Sequence, residues 1–65
     1  MYRLSLTDHA IGAKCNSTAE FPTLEWAWKA ARDVAKVEHW RTAAKIVRRT
    51  DGYKIGKFVV QIIEW

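Results

Sequence analysis

Side chains that could perform chemistry are few in this 65-residue chain, and they lie far apart in the sequence. Cys15 is the one cysteine, and the histidines are His9 and His39. A nucleophilic thiol needs a base held against it, and a zinc site needs paired ligands such as C-x-x-C, but this spacing supplies neither. The three glycines are isolated, so a glycine-rich phosphate-binding loop is also lacking. We therefore predict a protein that is not an enzyme and that uses no metal and no cofactor.

Basic side chains are the remaining candidates for function. Lys and Arg number 11 against 7 Asp and Glu, which gives a net charge of +4 and an isoelectric point near 9.6. The stretch IVRRTDGYKIGKF, residues 46–58, concentrates several of these charges around an Asp-Gly pair. A basic balance favours acidic partners, which include nucleic acid and acidic protein surfaces.

The cysteine count and the apolar runs predict a cytoplasmic protein. A single cysteine permits no intrachain disulfide, and small secreted domains usually depend on such cross-links. The segment MYRLSLTDH lacks the apolar stretch of a secretory signal, and the apolar run at residues 58–63 is too short to span a bilayer. We therefore expect no membrane partner.

The spacing of apolar residues predicts a single domain over residues 1–65, with a strand, a loop and a helix in its first part. Residues 2–7 alternate apolar and polar side chains, which is typical of a half-buried strand. Residues 8–22 show no sustained period and are predicted as a loop. A helix is predicted over residues 24–38, with Thr23 as its N-cap and an apolar stripe at three- and four-residue spacing.

The last part of the chain predicts a hairpin of strands 42–49 and 53–63. A three-residue turn, Thr50-Asp51-Gly52, with Gly52 in the left-handed conformation, best separates apolar from charged side chains. The face predicted to meet the helix carries Trp40, Ala44, Ile46, Phe58, Val60 and Ile62. The outer face carries Lys45, Val47, Arg49, Tyr53, Ile55, Lys57 and Val59.

These elements predict an α+β fold with the chain order β-α-β-β. In it, a three-stranded, mainly antiparallel sheet packs one face against a single helix. The strand order stays open, because the first strand could pair with either strand of the hairpin.

The outer sheet face is the first candidate binding surface. Basic residues around an aromatic one are suited to contact phosphate groups or bases, and a monomer seldom exposes the apolar patch beside them. The ordinary alternative is a solvated face whose lysines prevent edge-to-edge aggregation. The predicted binding residues of this face are Arg3, Lys45, Arg49, Tyr53 and Lys57.

The outer side of the helix is the second candidate. Trp26 lies opposite the apolar stripe, and tryptophan is enriched at binding hot spots. Next to it, a basic ridge is formed by Lys29, Arg32 and Lys36. Two alternatives stay open: the loop at residues 8–22 covers Trp26, and the ridge is an ordinary solvated helix face.

The layout of the chain resembles that of small phage-encoded accessory proteins. A short strand and a polar loop precede the helix TLEWAWKAARDVA, and WRTAAKIVRRTDGY then leads into a final strand. This is similar to anti-CRISPR proteins that inhibit type I surveillance complexes, although no binding residue is carried over by position. The resemblance implies an inhibitor in the host cell cytoplasm that docks on a host protein or ribonucleoprotein complex, such as a CRISPR surveillance complex. Its action would be to block recognition of target DNA.

Two rival functions follow from the residues alone. The first is a direct DNA- or RNA-binding module that uses the basic hairpin and the outer sheet face. The second is a homodimer or higher homo-oligomer that associates through Val59, Ile63 and Trp65.

Overall fold

The computed structural model describes residues 1–64, which form one α-helix and five β-strands. In chain order these are β1 (Tyr2–Asp8), β2 (Ala13–Asn16), α1 (Leu24–Thr42), β3 (Ile46–Arg49), β4 (Gly52–Ile55) and β5 (Phe58–Glu64). All neighbouring strands pair antiparallel, in the order β2-β1-β5-β4-β3. The fold is α+β as predicted, but the prediction of a three-stranded β-α-β-β arrangement is wrong, because the sheet has five strands.

One extra strand, β2, lies within the segment predicted as a loop. Its four residues, AKCN, are all exposed, and their alternation is too short and too weakly apolar to be recognised as a half-buried strand. Pairing with β1 places Cys15 opposite Leu6 at the edge of the sheet. Further along, Phe21 exchanges two backbone hydrogen bonds with Tyr2. The segment therefore pairs with β1 at both of these places.

The second extra strand arises because the predicted strand 53–63 divides at a tight turn. Gly56 has a φ of 59° there, and this turn lets Ile55 pair with Phe58. On the other side of β4, Arg49 pairs with Gly52, so the preceding turn is Thr50-Asp51 and not the three-residue loop that was predicted.

The shifted register moves Tyr53 and Ile55 from the predicted outer face to the face that meets the helix. Ile55 then lies between its partners Ile46 and Phe58, so one row across three strands is wholly apolar. Burial of this row explains why this register is favoured over the predicted one. Lys54 moves the opposite way, to the outer face between Val47 and Val59.

The helix α1 begins at Leu24, as predicted, and continues to Thr42 instead of ending near residue 38. Its inner face is a stripe of small residues, since Ala27, Ala31 and Ala35 have no exposed surface. These alanines let the helix approach the sheet closely, where Ala31 and Ala35 pack against a core of Leu4, Ile55 and Val60.

Trp40 is the largest departure from the predicted core. It was placed on the inner sheet face, whereas the structure makes it part of α1 with 91% of its surface exposed. The prediction failed because the helix extends past residue 38, and this carries Trp40 around to the solvent side.

The N-cap of α1 provides a first testable prediction. The Thr23 hydroxyl accepts a hydrogen bond from the Trp26 backbone N–H at 3.3 Å. Thr23→Ala leaves that N–H without its partner, so we expect the free energy of unfolding in urea to fall by about 1 kcal/mol. Thr23→Ser keeps an acceptor and should stay near the wild-type value. Equal stability of the alanine variant and the wild type would contradict the capping role.

Candidate functional site

The outer sheet face does not assemble the binding surface predicted from the sequence. Arg3 lies on it, but its guanidinium donates to Glu20 at 2.8 Å. Arg49 also lies on it, with its Nε 3.6 Å from a carboxylate oxygen of Asp51. Both cations therefore already face carboxylates of the chain itself.

The other three residues predicted for that face lie elsewhere. Lys45 precedes β3 and Lys57 lies in the turn between β4 and β5, and both are exposed. Tyr53 faces the helix and is half-buried. Of the apolar residues predicted beside them, Val59 is buried between its neighbours in the sheet. Trp65, predicted to take part in a homo-oligomer contact, lies outside the described residues.

Tyr53 and Arg48 instead form a contact with the helix at the β3 edge of the sheet. The two residues are direct cross-strand partners. The Tyr53 ring meets the ring of Trp28 edge-on, with centroids 5.5 Å apart and an interplanar angle of 89°. The guanidinium carbon of Arg48 lies 4.6 Å from the centre of the Trp28 ring. Trp28 thus packs against the tyrosine and holds the arginine by a cation–π interaction.

A cleft opens beside this contact, between α1 and the edge strand β3, with a volume of about 390 Å³. We call it the basic cleft. Its lining residues are Arg32, Lys36, Ile46, Arg48 and Tyr53. The helix supplies Arg32 and Lys36 because residues four apart lie on the same side of a helix. Three elements, α1, β3 and β4, thus bring three cations and a phenol to one concave surface.

Within residues 1–64, no carboxylate forms an ion pair with a cation of the basic cleft. The ion pairs formed within residues 1–64 join Arg3 to Glu20, Arg41 to Glu38 and Arg49 to Asp51, and none involves Arg32, Lys36 or Arg48. Like charges on one concave surface repel each other and raise the local concentration of anions. Arginine also offers a planar set of donors that matches the oxygens of phosphate. The basic cleft is therefore suited to hold phosphate groups.

A second cleft, of about 340 Å³, shows a different charge pattern. It lies where the C-terminal end of α1 meets the end of β1, and its charged lining residues are Asp8, Glu38, Arg41 and Lys57. Acids and bases are balanced there, and Arg41 already donates to Glu38 at 2.8 Å. This cleft has no excess of charge with which to attract an ion.

The remaining predicted residues lie on the solvent side of α1. Trp26 is 60% exposed, so the alternative in which residues 8–22 cover it is wrong. It shares a shallow depression with Glu25 and Lys29, apart from the basic cleft. Of the predicted basic ridge, Arg32 and Lys36 therefore belong to the cleft and Lys29 does not.

Sequence reasoning missed Arg48 as a site residue. The arginine was not among the predicted binding residues, because the predicted register separated it from Tyr53. The four-residue spacing of Trp28, Arg32 and Lys36 marks one ridge of the helix, but it carries no signal for Arg48 on β3.

Comparisons with protein families, with curated proteins and with solved structures found no match.

Two further observations concern residues 1–64. No group of three or more His, Cys, Asp or Glu side chains there is close enough together to hold a metal ion. No helix in that range is both long and apolar enough to cross a lipid bilayer.

Proposed function

We propose that the protein is a non-enzymatic nucleic-acid-binding module that holds backbone phosphates in the basic cleft. The observation that carries this proposal is the convergence of Arg32, Lys36 and Arg48, none of which forms an ion pair within residues 1–64. This modifies the rival function derived from the sequence: the site lies between the helix and β3, not on the outer sheet face.

The packing around Arg48 supports the proposal. A free arginine side chain loses rotamer freedom when it binds a phosphate, which weakens binding. Arg48 already lies over the Trp28 ring and opposite Tyr53, so part of this freedom is lost on folding. A preorganised cation of this kind contributes more to affinity than a lysine on an open helix face.

The inhibitor function implied by the resemblance to anti-CRISPR proteins stays a prediction. A ribonucleoprotein complex presents phosphate groups, so docking on one would use the same basic cleft. A pull-down from host lysate, with and without nuclease, separates the two modes of contact. Capture that nuclease abolishes would indicate binding through nucleic acid, and capture that survives nuclease would indicate a direct protein contact.

The decisive experiment compares two pairs of substitutions that remove the same charge. Arg32→Gln with Arg48→Gln empties the cleft of arginine, whereas Arg49→Gln with Lys54→Gln alters the outer sheet face. We expect the first pair to lower affinity for a short fluorescein-labelled oligonucleotide by about tenfold or more. It should also reduce the slope of log K against log salt by about 1.4 to 1.8, because each phosphate contact contributes about 0.7 to 0.9. Fluorescence anisotropy at several salt concentrations measures both quantities.

The matched pair on the sheet face should change affinity much less, since Arg49 is already close to Asp51. Circular dichroism must show that both pairs remain folded. Lys36→Gln, at an exposed helix position, is a second variant that leaves the Arg48–Trp28 contact intact. Equal losses from the two pairs would indicate attraction by net charge alone. A larger loss from the sheet pair, or no binding by the wild type at low salt, would refute the proposal.

A further inference from the structure

A row of side chains on α1, different from the predicted basic ridge, connects the basic cleft to an exposed tryptophan. We refer to this row as the ridge. Trp28, Arg32, Lys36 and Trp40 follow each other at four-residue spacing. With a rise of 1.5 Å per residue, successive members lie about 6 Å apart along the helix axis. The ridge begins at Trp28, which packs against Tyr53, passes the two cleft cations and ends at Trp40.

Trp40 differs from Trp28 in having no described packing. Its exposure is 91%, and neither the core cluster nor any ring contact within residues 1–64 includes it. A tryptophan in a folded protein is usually well buried, because its large ring stabilises the core or an interface. Trp40 thus presents an open aromatic face one helical turn from Lys36, which lines the basic cleft.

We infer that the ligand of the basic cleft is a single-stranded nucleic acid, with an unpaired base stacked on Trp40. The inference rests on the proposed function, since the phosphates next to that base must lie in the cleft. Bases in a duplex are stacked on each other, so their faces are not available to a side chain. Proteins that bind single strands combine a basic groove with aromatic side chains on which successive bases stack. The ridge on α1 provides both features within a few turns of one helix.

Charge argues against a second copy of the chain as the occupant of this ridge. A symmetric contact through Trp40 would bring the Lys36 and Arg32 side chains of two copies towards each other, without acidic residues on the ridge to compensate. An anionic lipid surface has the charge to match, but it offers no single base to stack.

Trp26 is a matched control within the same helix. It is also an exposed tryptophan, at 60%, but its neighbours are Glu25 and Lys29, and it does not line the basic cleft. Trp40→Ala and Trp26→Ala therefore remove the same side chain from two exposed sites, only one of which adjoins the cleft. Neither change removes core packing, so both variants should remain folded.

The test measures affinity for a labelled thymidine oligonucleotide, as a single strand and annealed to its complement. We expect wild type to prefer the single strand, and Trp40→Ala to lower single-strand affinity about 5- to 100-fold with little effect on the duplex. Trp40→Phe should restore most of the affinity, and Trp26→Ala should change little. Binding should also quench tryptophan fluorescence, and Trp40→Ala should lose the largest share of that quenching.

Each outcome separates this inference from the proposed function. Unchanged affinity in Trp40→Ala, or equal losses in the two tryptophan variants, overturns the stacking role, while the cleft variants still decide phosphate binding. Equal affinity for both forms of the oligonucleotide also overturns the inference.

The membrane alternative is tested with vesicles of phosphatidylcholine and phosphatidylserine. Vesicle binding that Trp40→Ala abolishes, with oligonucleotide binding unchanged, would overturn the inference in favour of a lipid-facing ridge.

Discussion

Gly52→Ala is expected to lower the free energy of unfolding by more than about 3 kcal/mol, a large share of the total for a domain of this length. A Cβ atom at Gly52 would overlap the carbonyl oxygen of Val60 and would press on the backbone of Gln61. Both obstacles belong to the backbone of β5, which cannot move aside as a flexible side chain could. We therefore expect the variant to be largely unfolded at room temperature, as measured by circular dichroism and urea titration.

The control for this prediction is Gly12→Ala. Gly12 has a φ of +67°, but apart from Gly12 itself and its two chain neighbours no residue has a heavy atom within 4 Å of the position where its Cβ would be. Gly12→Ala should lower the free energy of unfolding by about 1 to 2 kcal/mol, from the left-handed backbone alone.

Gly52→Asn distinguishes the observed register from the predicted bulge. Asparagine tolerates the left-handed conformation of the predicted bulge, but its Cβ would meet the same backbone overlap as alanine in the observed register. A stable Gly52→Asn variant would contradict the observed register.

Ile55→Ala is expected to lower the free energy of unfolding by about 2 to 5 kcal/mol, because it leaves a cavity in the core. Ile55 is 2% exposed and is one of the two largest fully buried side chains among the described residues. It belongs to the cluster that includes Leu4, Ala31 and Val60. In so small a domain, such a loss would leave little net stability. Urea denaturation with a two-state fit measures it.

Val47→Ala is the matched control, since Val47 is a β-branched residue on the neighbouring strand but is 51% exposed on the outer face. The change should alter stability by no more than about 0.5 kcal/mol. The pair also tests the register, because the register predicted from the sequence placed both side chains on the outer face. Similar small effects from the two alanine substitutions would support that predicted register against the structure.

The first part of the fold could be predicted because its signals are local. Thr23 precedes a helical stripe whose alanines and larger apolar residues recur at three- and four-residue spacing, and α1 begins where this pattern begins. The alternation of residues 2–7 likewise corresponds to β1. The strand β2 could not be predicted in this way, because it buries nothing and forms only by pairing with β1.

The hairpins could not be placed reliably because register depends on contacts between distant residues. Asp51-Gly52 and Gly56-Lys57 are both turn signals, and only the second of these dipeptides occupies the two central positions of a turn. A shift of one residue exchanges the two faces of a strand. Tyr53 and Ile55 therefore both lie on the helix face in the observed register, although the predicted register placed them on the outer face. Lys54 lies on the outer face.

Only the helix residues of the candidate site could be identified from the sequence, for the same reason. Arg32 and Lys36 were identified because helical spacing alone places them on one side of α1. Arg48 joins them only through its pairing with Tyr53 and its contact with Trp28, which depend on the register. Trp40 was assigned to the core because it is large and apolar, and only the true end of the helix corrects this.

The two-layer construction of the basic cleft links ligand binding to the docking of the helix on the sheet. Arg32 and Lys36 belong to one layer, and Arg48 and Tyr53 belong to the other. A helix that separates from the sheet no longer forms the site, so a ligand binds the docked state and not the unfolded one. Such linkage stabilises the folded protein by about 2.7 kcal/mol when the free ligand is at one hundred times its Kd. A phosphate ligand held in the cleft, as proposed, would therefore also stabilise the packing of α1 on the sheet.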